Sequence, residues 1–215
     1  MIHVKSFVFN PFMENTYVLS DETGEAVVVD PGCYEEYEQE MLAAYIEQEG
    51  LKVIDLINTH GHIDHVLGNY FITRKYGVKM RMHELDVPVL KAVESYAPSY
   101  GFNEYQPIEP DSFLNEGDLI RFGNTEMEIM FLPGHAPGHI GLLSRDQKLL
   151  VSGDVLFRES VGRTDLPGGD HNTLLDSIRE KLFTLDDEIV VYCGHGPETT
   201  LGHEKRYNPF CAIEV

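Results

Sequence analysis

The sequence is short of positive charge. It sets 16 Lys and Arg against 36 Asp and Glu, a formal net charge of −20 over 215 residues, and a field of that sign repels phosphate backbones and anionic headgroups. Nucleic acid and membrane are therefore not expected as partners. Cysteine is equally scarce. Cys33, Cys193 and Cys211 are odd in number and show no C-x-x-C spacing, which provides neither a disulfide framework nor a zinc-finger set and agrees with a reducing compartment. No apolar run approaches the ~18 residues of a membrane span, and Lys5, Asn10, Pro11 and Glu14 break up the opening segment, so no signal-peptide core is read there. A cytoplasmic location is expected, and any metal has to be held by histidines and carboxylates.

The remaining composition is that of a globular chain: 42% hydrophobic and 24% charged residues rule out disorder, collagen and coiled coil. A chain of this length buries about 70% of its unfolded surface and needs no disulfide staples. One compact domain over 1–215 is the expectation.

Periodicity organises the chain as follows. Residues 2–9 and 15–19 read as a hairpin punctuated by Asn10 and Pro11. The apolar run 26–29 reads as a buried strand closed by Asp30-Pro31-Gly32. A helix is expected over 34–49, with Tyr37, Met41, Ala44 and Tyr45 on its apolar face and its glutamates in solvent. Strands at 53–57 and 78–82 alternate with helices at 65–76 and 84–95, the pattern of an α/β layered domain. A long loop is expected at 96–118. Strands are then expected at 119–122, 126–132, 140–144, 148–152 and 189–193, with a helix at 171–183 and a short tail.

The chemistry concentrates at strand ends. His60 and His62 are one residue apart, which in extended backbone directs both rings to the same side, and Asp64 and His65 follow. Four donors in six residues, imidazole and carboxylate without thiolate, suit Zn, Fe, Mn or Ni in an open site rather than a closed structural one. His135 in Pro133-Gly134-His135, Asp154 in Gly153-Asp154 and His195 in Gly194-His195 each stand just past an apolar run. Active groups collect on such loops. His139 reads as a buttress for the His135 loop, Cys193 as a small buried residue. Arg158 and Arg163 are scarce cations on the glycine-rich segment after Asp154, and they are candidates for a substrate carboxylate.

T-H-G-H-I-D-H at 59–65, together with His135, Asp154 and His195, resembles the metallo-β-lactamase superfamily across essentially the whole chain. The stretch from Gly153 to Asp170, with Cys193-Gly194-His195-Gly196-Pro197-Glu198-Thr199-Thr200 and Asn208-Pro209-Phe210, is similar to short bacterial glyoxalase II-like (hydroxyacylglutathione hydrolase-like) enzymes. The resemblance implies an αββα sandwich. It implies two divalent metal ions, zinc foremost with iron or manganese as alternatives. His60, His62 and His135 would hold the first, Asp64, His65 and His195 the second, with Asp154 bridging. It implies a thioester hydrolase acting on a small molecule through a metal-bridging hydroxide, with Asp64 and Asp154 in the reaction.

Departures from relatives narrow that expectation. Two-domain glyoxalase II enzymes carry a helical extension that supplies basic contacts to glutathione, whereas only a short segment follows His195 here. Val155, Leu156 and Phe157 stand where lactonases of this ligand set carry a tyrosine. Persulfide dioxygenases share H-x-H-x-D-H and G-R-T-D, and use a single non-haem iron on residues corresponding to His60, His135 and Asp154. That reading stays as the alternative.

Overall fold

The computed structural model describes residues 1–213, and it is mixed α/β, as expected. The described residues divide into two compact units, Met1–Leu114 with Arg121–Glu126, and Asn115–Ile120 with 127–213.

In the first unit, β1 (His3–Phe9), β2 (Glu14–Ser20) and β3 (Glu25–Val29) form an antiparallel meander. Beyond β3, the strands β4 (Lys52–Ile57), β5 (Met80–Met82) and β6 (Ser112–Phe113) add in parallel, giving a six-stranded sheet in sequence order. Parallel neighbours require crossovers. These are supplied by α1 (Glu36–Gln48), by α2 (Ile63–Val66) with α3 (Asn69–Tyr76), and by α4 (Val87–Tyr96). Leu42 and Ile46 of α1, Ile72 of α3 and Leu90 and Val93 of α4 pack with Val18, Ala26, Val28, Val53 and Leu56 of the sheet in one core. Each such aliphatic side chain contributes about 1.5–3 kcal/mol on burial.

A second six-stranded sheet is built around β8 (Thr125–Phe131), β9 (Ile140–Ser144), β10 (Leu149–Gly153) and β13 (Val190–Cys193), most of it in the second unit, and β7 (Leu119–Phe122) and β14 (Thr199–Thr200) complete its edges. β8, β9 and β10 are antiparallel neighbours, and β13 lies parallel to β10. The crossover between β10 and β13 carries the two-residue pair β11 (Leu156–Phe157) and β12 (Ser160–Val161) and then α5 (His171–Asp176). Leu174 and Ile178 pack with Met130, Leu143, Leu150 and Val191, and Leu201 of α6 (Leu201–Tyr207) joins them.

Four expectations need correction. α1 buries Glu38, Leu42 and Ile46, while Tyr37 and Met41 stand 63% and 52% exposed. The apolar face is displaced by one residue because the Glu38 carboxylate serves the interior: it accepts from the backbone N–H groups of Asn10, Tyr34 and Glu35 at 2.7, 2.8 and 3.1 Å. The helix expected at 65–76 is two helices, interrupted where Gly68 N–H donates to the Pro31 carbonyl at 2.7 Å. The helix at 171–183 leaves α geometry after Asp176 for a π turn and a 3₁₀ turn. The tail is not plain: α6 follows its N-cap Thr200, whose hydroxyl accepts from His203 N–H at 3.2 Å.

Candidate metal centre

Strand β4 ends at Ile57, and the segment that follows carries the first four donors. His60, His62 and His65 are buried and the Asp64 side chain is 14% exposed. Their orientation is set by Asp30, at the end of β3. Asp30 adopts φ +48, a left-handed conformation that asparagine and aspartate tolerate better than most residues. From there its Oδ1 accepts Thr59 N–H at 2.7 Å, and its Oδ2 accepts the Thr59 hydroxyl at 2.5 Å. The hydroxyl proton being committed to Asp30, Thr59 Oγ1 accepts from His60 Nδ1, 3.0 Å away. His65 Nδ1 stands 3.1 Å from Asp30 Oδ2 and donates to it. With Nδ1 protonated in both rings, Nε2 carries the lone pair that a metal requires.

The donors are arranged as ligands would be. The ring of His60 lies 4.8 Å from that of His62 and 4.2 Å from that of His65. His65 Nε2 is 3.6 Å from Asp64 Oδ2. Two donors each about 2.1 Å from one tetrahedral ion stand roughly 3.4 Å apart, so the separation of His65 Nε2 and Asp64 Oδ2 fits a shared metal. Behind His65, the fully buried Glu14 places Oε1 3.9 Å from Nδ1, and burial pushes its carboxyl well above the usual carboxylate range.

The second unit assembles its donors from three places. Asp154 follows β10, His195 follows β13, and His135 lies between β8 and β9. Asp154 Oδ2 is 3.5 Å from His135 Nε2 and 3.5 Å from His195 Nε2, again the spacing of ligands around an ion. His135 Nδ1 donates to the Arg163 carbonyl at 2.7 Å, which turns Nε2 toward Asp154. His139 accepts Asp154 N–H on Nε2 at 3.0 Å, so its ring supports the Asp154 peptide and not the His135 loop it was expected to buttress. Gly162 is required here, because a Cβ at that position would overlap the Asp154 carbonyl. The His195 ring meets Phe157 edge-on at 6.1 Å.

Arg158 is exposed on the same crossover. Arg163 is exposed too, with its guanidinium gripped by Asp165: Nε and Nη2 each donate to one carboxylate oxygen at 2.7 Å. Cys193 is buried and burial pushes its thiol up to about 12, so it is a packing residue rather than a nucleophile. Sequence reading missed Asp30, Glu14 and Asn10. Asp30-Pro31-Gly32 reads as a turn, and only the fold shows the carboxylate reaching Thr59 and His65.

The sequence profile of the metallo-β-lactamase superfamily matches residues 9–195. The chain belongs to that superfamily. Among superfamily relatives, the hydroxyacylglutathione hydrolase GloC of Haemophilus influenzae is 39% identical over 201 residues, 93% of each chain. The B3 metallo-β-lactamase BLEG-1 superposes with a TM-score of 0.88 at 32% identity, covering 98% of this chain and all of the other. TTHA1623, solved in a di-iron-bound form, gives 0.85 at 36% identity over 96% and 99% of the two chains. The fold is therefore the metallo-β-lactamase fold, and the chain is a metallo-hydrolase of that superfamily whose histidine and aspartate groups suit divalent metals. Among the described residues no helix is long and apolar enough to cross a membrane.

Proposed function

We propose that this metallo-hydrolase cleaves thioesters of the hydroxyacyl-glutathione type, with two divalent metal ions. In this reading His60, His62 and His135 hold one ion, Asp64, His65 and His195 hold the other, and Asp154 serves both. The observation that carries the reading is the prior orientation of the donors within each unit: His65 and His135 both commit Nδ1 to protein acceptors and keep Nε2 for a ligand. Kinship with GloC supports the substrate class.

Ions bound there would polarise the thioester carbonyl and supply water made nucleophilic near neutral pH. The chain's own contribution is placement. Asp154 places one carboxylate oxygen 3.5 Å from the Nε2 atoms of both His135 and His195, while Asp64 adds negative charge beside His65. The leaving thiolate, with a pKa of about 8.5, departs without a strong acid. No protein nucleophile is needed, in keeping with the high thiol pKa of Cys193. Zinc is the metal we favour, and the di-iron form of TTHA1623 keeps iron in view.

Arg158 is the cation proposed for a carboxylate of the thiol carrier, and Arg163 would join only by releasing Asp165. Arg158→Ala is accordingly expected to raise KM for S-lactoylglutathione about tenfold, ~1.4 kcal/mol, with kcat for an uncharged thioester unchanged. Arg163→Ala should have a smaller effect. Equal losses on charged and uncharged thioesters would remove both arginines from substrate binding.

The deciding experiment is metal analysis of protein purified without added metal, paired with thioester hydrolysis and oxygen uptake. Two ions per chain with loss of S-lactoylglutathione supports the proposal. One iron per chain with oxygen uptake driven by glutathione persulfide would replace it with the dioxygenase, and turnover of a chromogenic β-lactam without thioester cleavage would replace it with a lactamase.

A further inference from the structure

We propose that Asp86 is a positioning residue for the His60 and His62 pair, acting through the peptide between them. The inference rests on the reading that these histidines hold a metal.

Gly61 joins the two histidines, and its N–H donates to Asp86 Oδ2 at 2.5 Å, across 25 residues of sequence. Asp86 is fully buried. It closes the 3₁₀ turn Glu84–Asp86 and occupies the N-cap of α4, with its own N–H donated to the His83 carbonyl at 3.1 Å. An aspartate at an N-cap ordinarily accepts from the N–H groups of its own helix. Asp86 makes no side-chain cap, and its carboxylate reaches the metal loop instead.

The surroundings leave Gly61 no other seat. A Cβ there would lie 2.7 Å from Leu90 N, 3.0 Å from the Asp86 carbonyl and 3.1 Å from Leu90 Cα, so the loop rests directly on the first turn of α4. Other supports act on either side: Thr59 N–H on Asp30, Asp64 carbonyl on Asn10 Nδ2 at 3.0 Å, His65 carbonyl on Asn58 Nδ2 at 2.9 Å. Asp86 fixes the middle. The plane of the 60–61 peptide sets how the two imidazoles face each other, so a shift in this joint opens or closes the bite that they offer an ion. In sequence Asp86 falls inside the helix expected at 84–95. Only the fold shows which N–H the carboxylate takes.

The test compares Asp86→Asn, Asp86→Glu and Asp86→Ser, reading Zn²⁺ affinity by chelator competition and the visible spectrum of the Co²⁺-substituted protein. Asn keeps length and acceptor. Glu keeps charge but lengthens the arm, and Ser withdraws the acceptor without adding bulk. Positioning predicts that Asn stays within about threefold of wild type, while Glu and Ser bind Zn²⁺ about 10–100-fold more weakly with an altered Co²⁺ spectrum. Thermal melting of the chelated variants separates a damaged loop from a damaged fold. Asp86→Glu matching wild type while Asp86→Asn loses affinity would show that charge is what counts, and would overturn the proposal. So would unchanged affinity and spectrum in all three. A wild-type protein that takes up neither metal would overturn the metal-centre reading itself, a failure distinct from either of these.

Discussion

The two units gather metal donors by opposite means. In the first, His60, His62, Asp64 and His65 come from one short segment, and the sheet contributes only its point of departure at Ile57. In the second, His135, Asp154 and His195 come from three connections, brought together because β8, β9, β10 and β13 are consecutive neighbours in one sheet. A contiguous set obtains its spacing from the chain and its orientation from side chains behind it. A dispersed set obtains both from strand pairing, with the Arg163 carbonyl steadying His135 and the His139 ring the Asp154 peptide.

The largest effect that would sharpen this contrast is at Asp154, whose single oxygen stands 3.5 Å from two histidines. Asp154→Asn is expected to lower thioesterase kcat/KM by about 10³-fold, ~4 kcal/mol, and to cost bound metal. Asp64→Asn, beside one histidine, is expected to cost roughly tenfold less activity with melting within a few degrees of wild type. Inductively coupled plasma mass spectrometry and steady-state kinetics on the pair decide it; equal losses would mean that the dispersed set has no privileged member.

A smaller effect is expected at His139. His139→Gln can present an amide oxygen to Asp154 N–H, whereas His139→Ala leaves a buried donor unmet, at about 1–3 kcal/mol. Alanine should lower metal affinity and melting temperature together, with glutamine recovering much of both. No recovery would show that the ring is needed for its volume.

The smallest effect should be alike in both units. Burial pushes Cys193 and Cys211 up to about 12 and Cys33 higher still, so at pH 8 each thiol is protonated as well as covered. Iodoacetamide is expected to leave the native protein unlabelled over a time that labels the urea-unfolded chain fully. Fast labelling of one cysteine would mark the unit that opens more readily.

The contiguous donors were legible because their spacing is local, and the dispersed ones because each stands just past an apolar run beside glycine. The supports were not. Asn10 reads as a hairpin turn, Asp30 as a strand stop and Asp86 as one more residue of the helix expected at 84–95, whereas it is the N-cap residue of a helix that begins at Val87. Their second use depends on partners 25 to 54 residues away. The face of α1 was misread for a related reason: Tyr37 and Met41 are apolar by composition, but the three N–H groups collected by Glu38 bring a charged residue inside. The long 96–118 loop was legible as a segment, though the short strand β6 within it pairs with β5 and was not anticipated.

The long reach of those supports bears on the order of events during biogenesis. Residues 59–65 are held by Asn10, Asp30 and Asp86, so the loop takes shape only when strands from well before it and a helix from well after it have come together. Such distant pairings form late in folding. A zinc finger, by contrast, is organised by its ion. Here the supports of the loop are all side chains of the polypeptide, so chelation is expected to leave a folded protein, which circular dichroism of the chelated chain would check. Which metal is carried then depends on what the cell offers as much as on the ligands, since affinity alone discriminates poorly among first-row ions.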